Sequence, residues 1–275
     1  MNQPLTLMAV HAHPDDEASS TGGVLAAYSD QGVRTVVVTC TNGEFGDGPS
    51  GIKPGEDGHD TADVAQTRLA ELREASKHLG VAELELLGYH DSGMPEWEYR
   101  NSPDAFCNVP LEDVVDKIAG LIERYRPQVV ITYDPDGAYQ HPDHVHAARA
   151  AIGAVEKTAI PAKLYLTAMR RSEWQKIFEA LRAAGEDVPE WDMTEEEQRQ
   201  IIASEARITT EVDITPVLDR KREALLAHSS QITDSWFSKI PPDVVRSAFG
   251  REFFILAENK TQASLPETDL FSGLR

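Results

Sequence analysis

Apolar residues in this chain fall into short runs separated by stretches with helical periodicity. Residues 5–10, LTLMAV, form a continuous hydrophobic segment of the length of a buried strand. Residues 19–31 then carry Val24, Leu25 and Tyr28 on one helical face, with Gly32 as the stop. A Val-rich run at 34–40 follows, so the chain opens β-α-β. The alternation continues with a helix over 62–79 that ends at Gly80 and a strand at 83–87. A helix over 111–125 begins after Pro110 and is stopped by Pro127. Strands at 129–132 and 163–167 flank a helix over 145–157. This alternation predicts an α/β fold: a Rossmann-like three-layer sandwich with a mostly parallel sheet.

Beyond residue 168 the pattern loosens. Acidic helical stretches at 172–184 and 194–204 precede a strand at 207–213, a helix at 217–229 and a last strand at 252–257. The polar tail, 260–275, is expected to gain order only with an oligomer. No internal repeat or low-complexity linker interrupts the sequence. The expectation is one domain over 1–275, with a core over about 1–168 and an α/β extension over about 169–275 that walls the active site.

The first strand lacks the glycine fingerprint of dinucleotide-binding folds. In its place stands His11-Ala12-His13-Pro14-Asp15-Asp16-Glu17. Four potential metal-binding or proton-transfer side chains, His11, His13, Asp15 and Asp16, thus crowd a strand exit, where α/β proteins place their chemistry. A second turn of the same kind, His141-Pro142-Asp143-His144, follows the strand at 129–132. Either motif alone is explained as well by helix capping or by surface histidines. Two of them at strand exits argue for a shared metal site. His13, Asp16 and His144 would supply two imidazoles and a carboxylate, leaving an open position for water, and both zinc and ferrous iron accept that set. Asp15 beside a ligand is the candidate base, and His141 the candidate stabiliser of developing negative charge. Asp143 is placed to hold a histidine in one tautomer.

The remaining composition narrows the classes. A net charge of −20 opposes nucleic-acid backbones and anionic membranes as partners. Cys40 and Cys107 form no C-x-x-C pair, so a disulfide framework is not expected. No leader or membrane-length apolar run is visible, so a cytoplasmic location is expected. The glycine-rich loop at 41–61 lacks the Lys-Ser/Thr of a phosphate-binding loop and reads as an active-site rim or lid. His90 and Asp91 lie past a strand end, where turn chemistry and ligand contact explain them equally well. His228 is a weaker candidate near the pocket, and His59, His78 and His146 receive no role.

The two His-Pro-Asp motifs closely resemble the paired signatures of the LmbE/PIG-L family, zinc-dependent deacetylases and amidases of N-acylglucosamine compounds. The likeness extends through residues 132–139, 91–94 and 225–231. With Pro266-Glu267-Thr268-Asp269-Leu270-Phe271-Ser272-Gly273, it is similar to the mycothiol branch, above all its S-conjugate amidases. The resemblance implies Zn2+ on His13, Asp16 and His144, Asp15 as base, and His141 as stabiliser or acid tuned by Asp143. It implies that Tyr139 is a mobile active-site tyrosine and that Arg68 and Asp91 contact a glucosaminyl-inositol substrate. In the amidases a lysine lies near the substrate's cysteinyl arm, where this chain has Ser20, as the deacetylases do. The expected activity is therefore amide hydrolysis on a small thiol conjugate or, alternatively, on N-acetylglucosaminyl-inositol. A non-catalytic sugar-binding or metal-sensing module is the rival from another class, and a homo-oligomer is left open.

Overall fold

The strands β1 (Thr6–His11), β2 (Arg34–Thr41), β3 (Glu83–Tyr89), β4 (Val129–Tyr133) and β5 (Lys163–Ala168) run parallel. They join β6 (Thr210–Asp213) and β7 (Arg251–Asn259), which pair antiparallel, in one seven-stranded sheet ordered β3-β2-β1-β4-β5-β7-β6. The computed structural model describes residues 4–48, 51–95, 97–136, 140–183, 185, 194–232 and 242–275.

Continuous apolar runs become central strands because both sheet faces are covered. Leu7 and Ala9 of β1 enter one core, and Met8 and Val10 enter the other. Helices α1 (Asp16–Asp30) and α2 (Thr61–Leu79) cover the first face. Helices α3 (Leu111–Tyr125) and α4 (Pro142–Thr158) cover the second with Val114, Ile118, Ile122 and the alanines of α4. Each buried Leu, Ile or Val contributes about 1.5–3 kcal/mol. The chain thus forms the expected α/β fold with a mostly parallel sheet.

This topology positions the site. β1 neighbours β2 on one side and β4 on the other, with Leu7 opposite Val129 and Ala9 opposite Ile131. The strand order reverses there, and a crevice opens beyond the carboxyl ends of β1 and β4. Both His-Pro-Asp turns leave the sheet at this point.

Helix starts differ from the sequence expectation. α1 begins at Asp16 rather than 19, and α4 at Pro142 rather than 145. In α4 the His141 side chain caps the helix by accepting the Asp143 N–H, and Pro142 takes the first turn, where no N–H is needed. Helices α5 (Arg171–Ala183) and α6 (Glu195–Glu205) open the extension. β6 is shorter than 207–213. The helix expected over 217–229 is instead α7 (Leu218–Ala227), broken at His228 and followed by the single turn α8 (Ser229–Ile232). Helix α9 (Pro242–Phe249) precedes β7. Among the described residues no helix is long and apolar enough to cross a membrane.

The tail is ordered by this chain alone, contrary to expectation. Leu270 and Phe271 are fully buried in the first core. Glu267 is buried, accepting from Lys163 Nζ and from the Tyr165 hydroxyl. Tyr28 donates to Asp269 at 2.8 Å. The polar composition of this stretch conceals that its acids meet partners inside the fold.

Removing one partner of a buried ion pair strands the other charge, at about 3–5 kcal/mol. Glu267→Ala should lose that much stability in urea unfolding. The double variant Lys163→Met/Glu267→Leu should recover most of the loss, since apolar replacement of a whole pair is often neutral. A single variant within about 1 kcal/mol of wild type would contradict this account of the tail.

Candidate active site

β1 delivers its last residue, His11, to the sheet edge, and Pro14 turns the chain into α1. Asp15 occupies the N-cap position with φ 110° and ψ −26°, a left-handed conformation that costs a non-glycine residue about 1–3 kcal/mol. It is held from two sides. Its N–H donates to Glu17 Oε2 at 3.0 Å, and Arg68 Nη2 donates to Pro14 O at 2.6 Å and to Asp15 Oδ2 at 3.0 Å.

Three donor atoms converge beside it. His13 Nδ1 lies 3.3 Å from His144 Nε2 and 3.5 Å from Asp16 Oδ2, and the last two are 3.3 Å apart. Tetrahedral coordination with bonds of about 2.0–2.1 Å puts ligand atoms about 3.3–3.4 Å from one another. The triangle therefore fits one face of a tetrahedral metal site, and all three residues line the cleft. His141 lies close enough to join His13 and His144 in a donor cluster, and its ring stands edge-on to His13, centroids 4.7 Å apart.

Each donor is braced from behind. The Tyr133 hydroxyl donates to Asp16 Oδ2 at 2.7 Å while accepting the Ala12 N–H at 2.7 Å, and the Tyr133 ring stacks on His144 at 4.1 Å. The other nitrogen of His13, Nε2, meets Asp143 Oδ2 at 3.1 Å and Asp91 Oδ1 at 3.5 Å. Asp143 is fully buried and receives the Ser92 N–H at 2.9 Å and the Ser92 hydroxyl. Its carboxylate thus meets His13 directly; toward His141 its backbone N–H donates to Nδ1, and its negative charge favours a proton on that ring.

The electrostatics favour a cation at this point. Burial opposes a proton on His13, but Asp91, Asp143 and Asp16 outweigh it and raise its pKa well above the imidazole value. Burial likewise works to raise Asp16, yet His144 and His13 hold it well below the usual carboxylate range. Surroundings that favour a proton between these groups also favour a metal ion. Burial, against the pull of Arg68, raises Asp15. Burial and the neighbouring His13 push His141 down to about 4.

The cleft above these groups encloses about 250 Å3 and is lined by His13, Asp15, Asp16, Arg68, Asp91, His141 and His144. Phe45, Met94 and Trp97 add apolar surface to the lining. Phe45 packs edge-on against Tyr99 and Trp97, centroids 4.4 and 6.2 Å apart. Arg68 donates to Gly43 O at 2.6 Å, crossing under the rim loop where a Cβ on Gly43 or Gly46 would lie 2.5 or 2.6 Å from its Nη1. Gln231, which also lines the cleft, ties this loop to the extension through the Asp47 N–H and carbonyl, both at 3.1 Å.

The site sits in a recognisable frame. Residues 8–155 match the family model PIG-L, GlcNAc-PI de-N-acetylase, over more than half of the 275 residues. The chain belongs to the PIG-L family. It is 39% identical to the 1D-myo-inositol 2-acetamido-2-deoxy-alpha-D-glucopyranoside deacetylase of Acidothermus cellulolyticus, covering 98% of this chain and 95% of that one. It is 35% identical to the mycothiol S-conjugate amidase of Streptomyces coelicolor, covering 100% of this chain and 99% of that one. Its fold matches the N,N'-diacetylchitobiose deacetylase of Pyrococcus horikoshii with a TM-score of 0.62 at 19% identity, covering 91% of this chain and 83% of that one. As a PIG-L family member the chain is a hydrolase of carbon–nitrogen bonds, and its His/Asp cluster points to a metal.

Within this PIG-L site, His13, Asp15, Asp16, Arg68, Asp91, His141 and His144 share one cleft, and Asp143 stands directly behind it. His11 does not join them: it is fully buried with Nε2 2.9 Å from the Thr21 hydroxyl, on the far side of the turn. Ser20 is half-buried on α1 and, among the described residues, is not one of those lining the cleft. Tyr139 lies outside the described residues. His90, exposed, pairs with Glu44 at 2.6 Å. Sequence reading missed Tyr133 and Ser92, although Tyr133 ends an apolar strand at the motif's own exit.

Tyr133→Phe removes the hydrogen bond that orients Asp16 and leaves the buried Ala12 N–H without an acceptor. Loss of such an outer partner typically costs 10–100-fold in metal affinity. Competition with a chelator should show about that loss in a variant whose circular dichroism is unchanged. Unaltered affinity would mean that Tyr133 does not support the ligand triangle.

Proposed function

We propose that this PIG-L hydrolase cleaves the amide of an N-acylated glucosaminyl-inositol, with a metal ion held by His13, Asp16 and His144. The observation that carries this reading is the His13–Asp16–His144 triangle with a second carboxylate, Asp15, beside it in a cleft. Zinc is the ion we favour, ferrous iron being the alternative; such an ion, when bound, polarises a carbonyl and lowers the pKa of a bound water toward roughly 7. A sensing or sugar-binding module has no need of a free carboxylate such as Asp15 beside the three donors.

The side chains then divide the work. Arg68 engages Asp15 Oδ2, leaving Oδ1 to accept the proton of the attacking water. The raised pKa of Asp15 suits it to hold that proton and pass it to the departing nitrogen. His141 Nδ1 accepts the Asp143 N–H, so the neutral ring carries its proton on Nε2. That N–H stabilises the charge developing on the carbonyl oxygen. Arg68 and Asp91, buried and partnered, offer fixed donors and acceptors to sugar hydroxyls. Asp143 fixes His13 so that Nδ1 faces the ion.

The substrate's acyl arm is the finer question. The apolar wall of Phe45, Met94 and Trp97 supports a bulky thiol conjugate, since an acetyl group needs no such surface. The 39% identity to a deacetylase and the serine at position 20 favour the N-acetyl compound instead. We place the activity in the cytoplasm, with a small-molecule substrate and neither nucleic acid nor membrane as partner.

Asp15→Asn should keep its metal and lower kcat by roughly 10²–10⁴, the usual share of a general base. His13→Ala, with two ligands left, should lose the metal itself. Elemental analysis beside turnover separates the two. Near-normal turnover of metal-loaded Asp15→Asn removes Asp15 as base and leaves its carboxylate as a partner of Arg68.

For the acyl arm, kcat/KM is compared for an S-conjugated cysteinyl glucosaminyl-inositol and for the N-acetyl compound. We expect the conjugate to be preferred, and Trp97→Ala to reduce that preference by about tenfold, the scale of one apolar contact. If the acetyl compound is favoured by more than about tenfold, the chain is a deacetylase and the apolar wall serves another purpose.

A further inference from the structure

We infer that Glu17 and His228 form a positioning pair that fixes the left-handed backbone of Asp15 and thereby aims its carboxylate into the cleft. The role rests on the reading of Asp15 as base, but the geometry of the pair is independent of any substrate. An acid in the first turn of a helix ordinarily serves the helix terminus from solvent. Glu17 is fully buried. One of its oxygens, Oε2, takes the Asp15 N–H at 3.0 Å; the other, Oε1, lies 2.7 Å from Nε2 of His228, which is also fully buried.

A buried carboxylate is unfavourable unless it is paired and hydrogen-bonded, so Glu17 depends on His228 to stay in place. His228 is itself held. It stands at the break between α7 and α8, with φ −80° and ψ 51°. Ser229 and Ser230 anchor the next turn to Glu71 of α2, and Gln231 anchors it to Asp47 of the rim loop. The extension thus meets the cleft's rim through Gln231 and, through His228 and Glu17, the N–H of a single residue whose φ of 110° is unfavourable for aspartate. Arg68 fixes the side-chain oxygen, and the Glu17–His228 pair fixes the backbone from the other side. Displacement of a catalytic group by about 1 Å can cost about 10²-fold in rate.

The test compares His228→Ala, His228→Gln and Glu17→Ala as metal-loaded full-length protein. His228→Ala should lower kcat about tenfold to hundredfold on either glucosaminyl-inositol, with KM within about twofold. The glutamine amide introduced by His228→Gln can still donate to Glu17, so that variant should return to within about threefold of wild type. Hydrogen–deuterium exchange should rise at the Asp15 amide in His228→Ala and stay slow in His228→Gln. The inference is overturned if folded His228→Ala keeps kcat within about twofold, or if its loss is matched by loss of metal. Should His228→Ala fail to fold, Glu17→Ala, which removes the acceptor of the Asp15 N–H, carries the same comparison. If the wild type turns over neither substrate, the proposed function falls, and unchanged exchange at Asp15 would then decide against the positioning pair.

Discussion

β1 and β4 are distant in sequence but adjacent in the sheet, and their parallel register puts the exits of Val10 and Thr132 side by side, Thr132 Oγ1 donating to Val10 O. All the candidate chemistry depends on that pairing. It brings His13 within 3.3 Å of His144, 131 residues later in the chain. It also carries the Tyr133 hydroxyl across to Ala12 and Asp16, so the second strand supports the carboxylate that follows the first. A one-residue slip would reverse which side chains face each core and would separate the two turns.

The second constraint is charge. Asp16, Asp91 and Asp143 all approach His13 within 3.5 Å in a place where burial works against charge. Carboxylates crowd together at that depth only when positive charge or hydrogen bonds compensate them. Ser92, Tyr133 and the Gly93 N–H supply part of that compensation, the histidines supply more, and a cation held between them would supply the rest. The same crowding distinguishes the two acids of the first motif. Asp16 is pinned by His13, His144 and Tyr133, whereas Asp15 is set apart by its left-handed backbone and meets Arg68.

Much of this architecture is legible in the order of residues along the chain. Continuous apolar runs bounded by Gly and Pro report buried parallel strands, and the seven strands appear near their expected positions. The two motifs stand out because metal-ligand types cluster at strand exits, a local signal. The partners that brace them are not legible, because Tyr133, Ser92 and Glu17 act through burial and through contacts with residues from 2 to 211 positions away. The periodicity of 217–229 hides the break at His228, since a helix pattern does not say which residue leaves the helix to bury its side chain. The tail is misjudged for a related reason: polar composition reports exposure only when no buried partner is waiting, and Lys163 is.

The Gln231 bridge to Asp47 separates two tasks within the chain. The His13–Asp16–His144 triangle and its braces all come from residues 12–144, inside the segment matched by the family model. The mouth of the cleft is instead tethered from beyond residue 225, by a stretch that contributes none of the triangle's donors. The triangle is therefore built by one part of the polypeptide, while the rim is shared between Phe45, Met94 and Trp97 of that part and Gln231 of the extension. Substitutions at the Gln231 bridge can widen, narrow or re-line the entrance while leaving the triangle intact, whereas those at His228, three residues earlier, reach Asp15 through Glu17. A single scaffold can thus change the size of its entrance at one position of this stretch and keep Asp15 aligned from another.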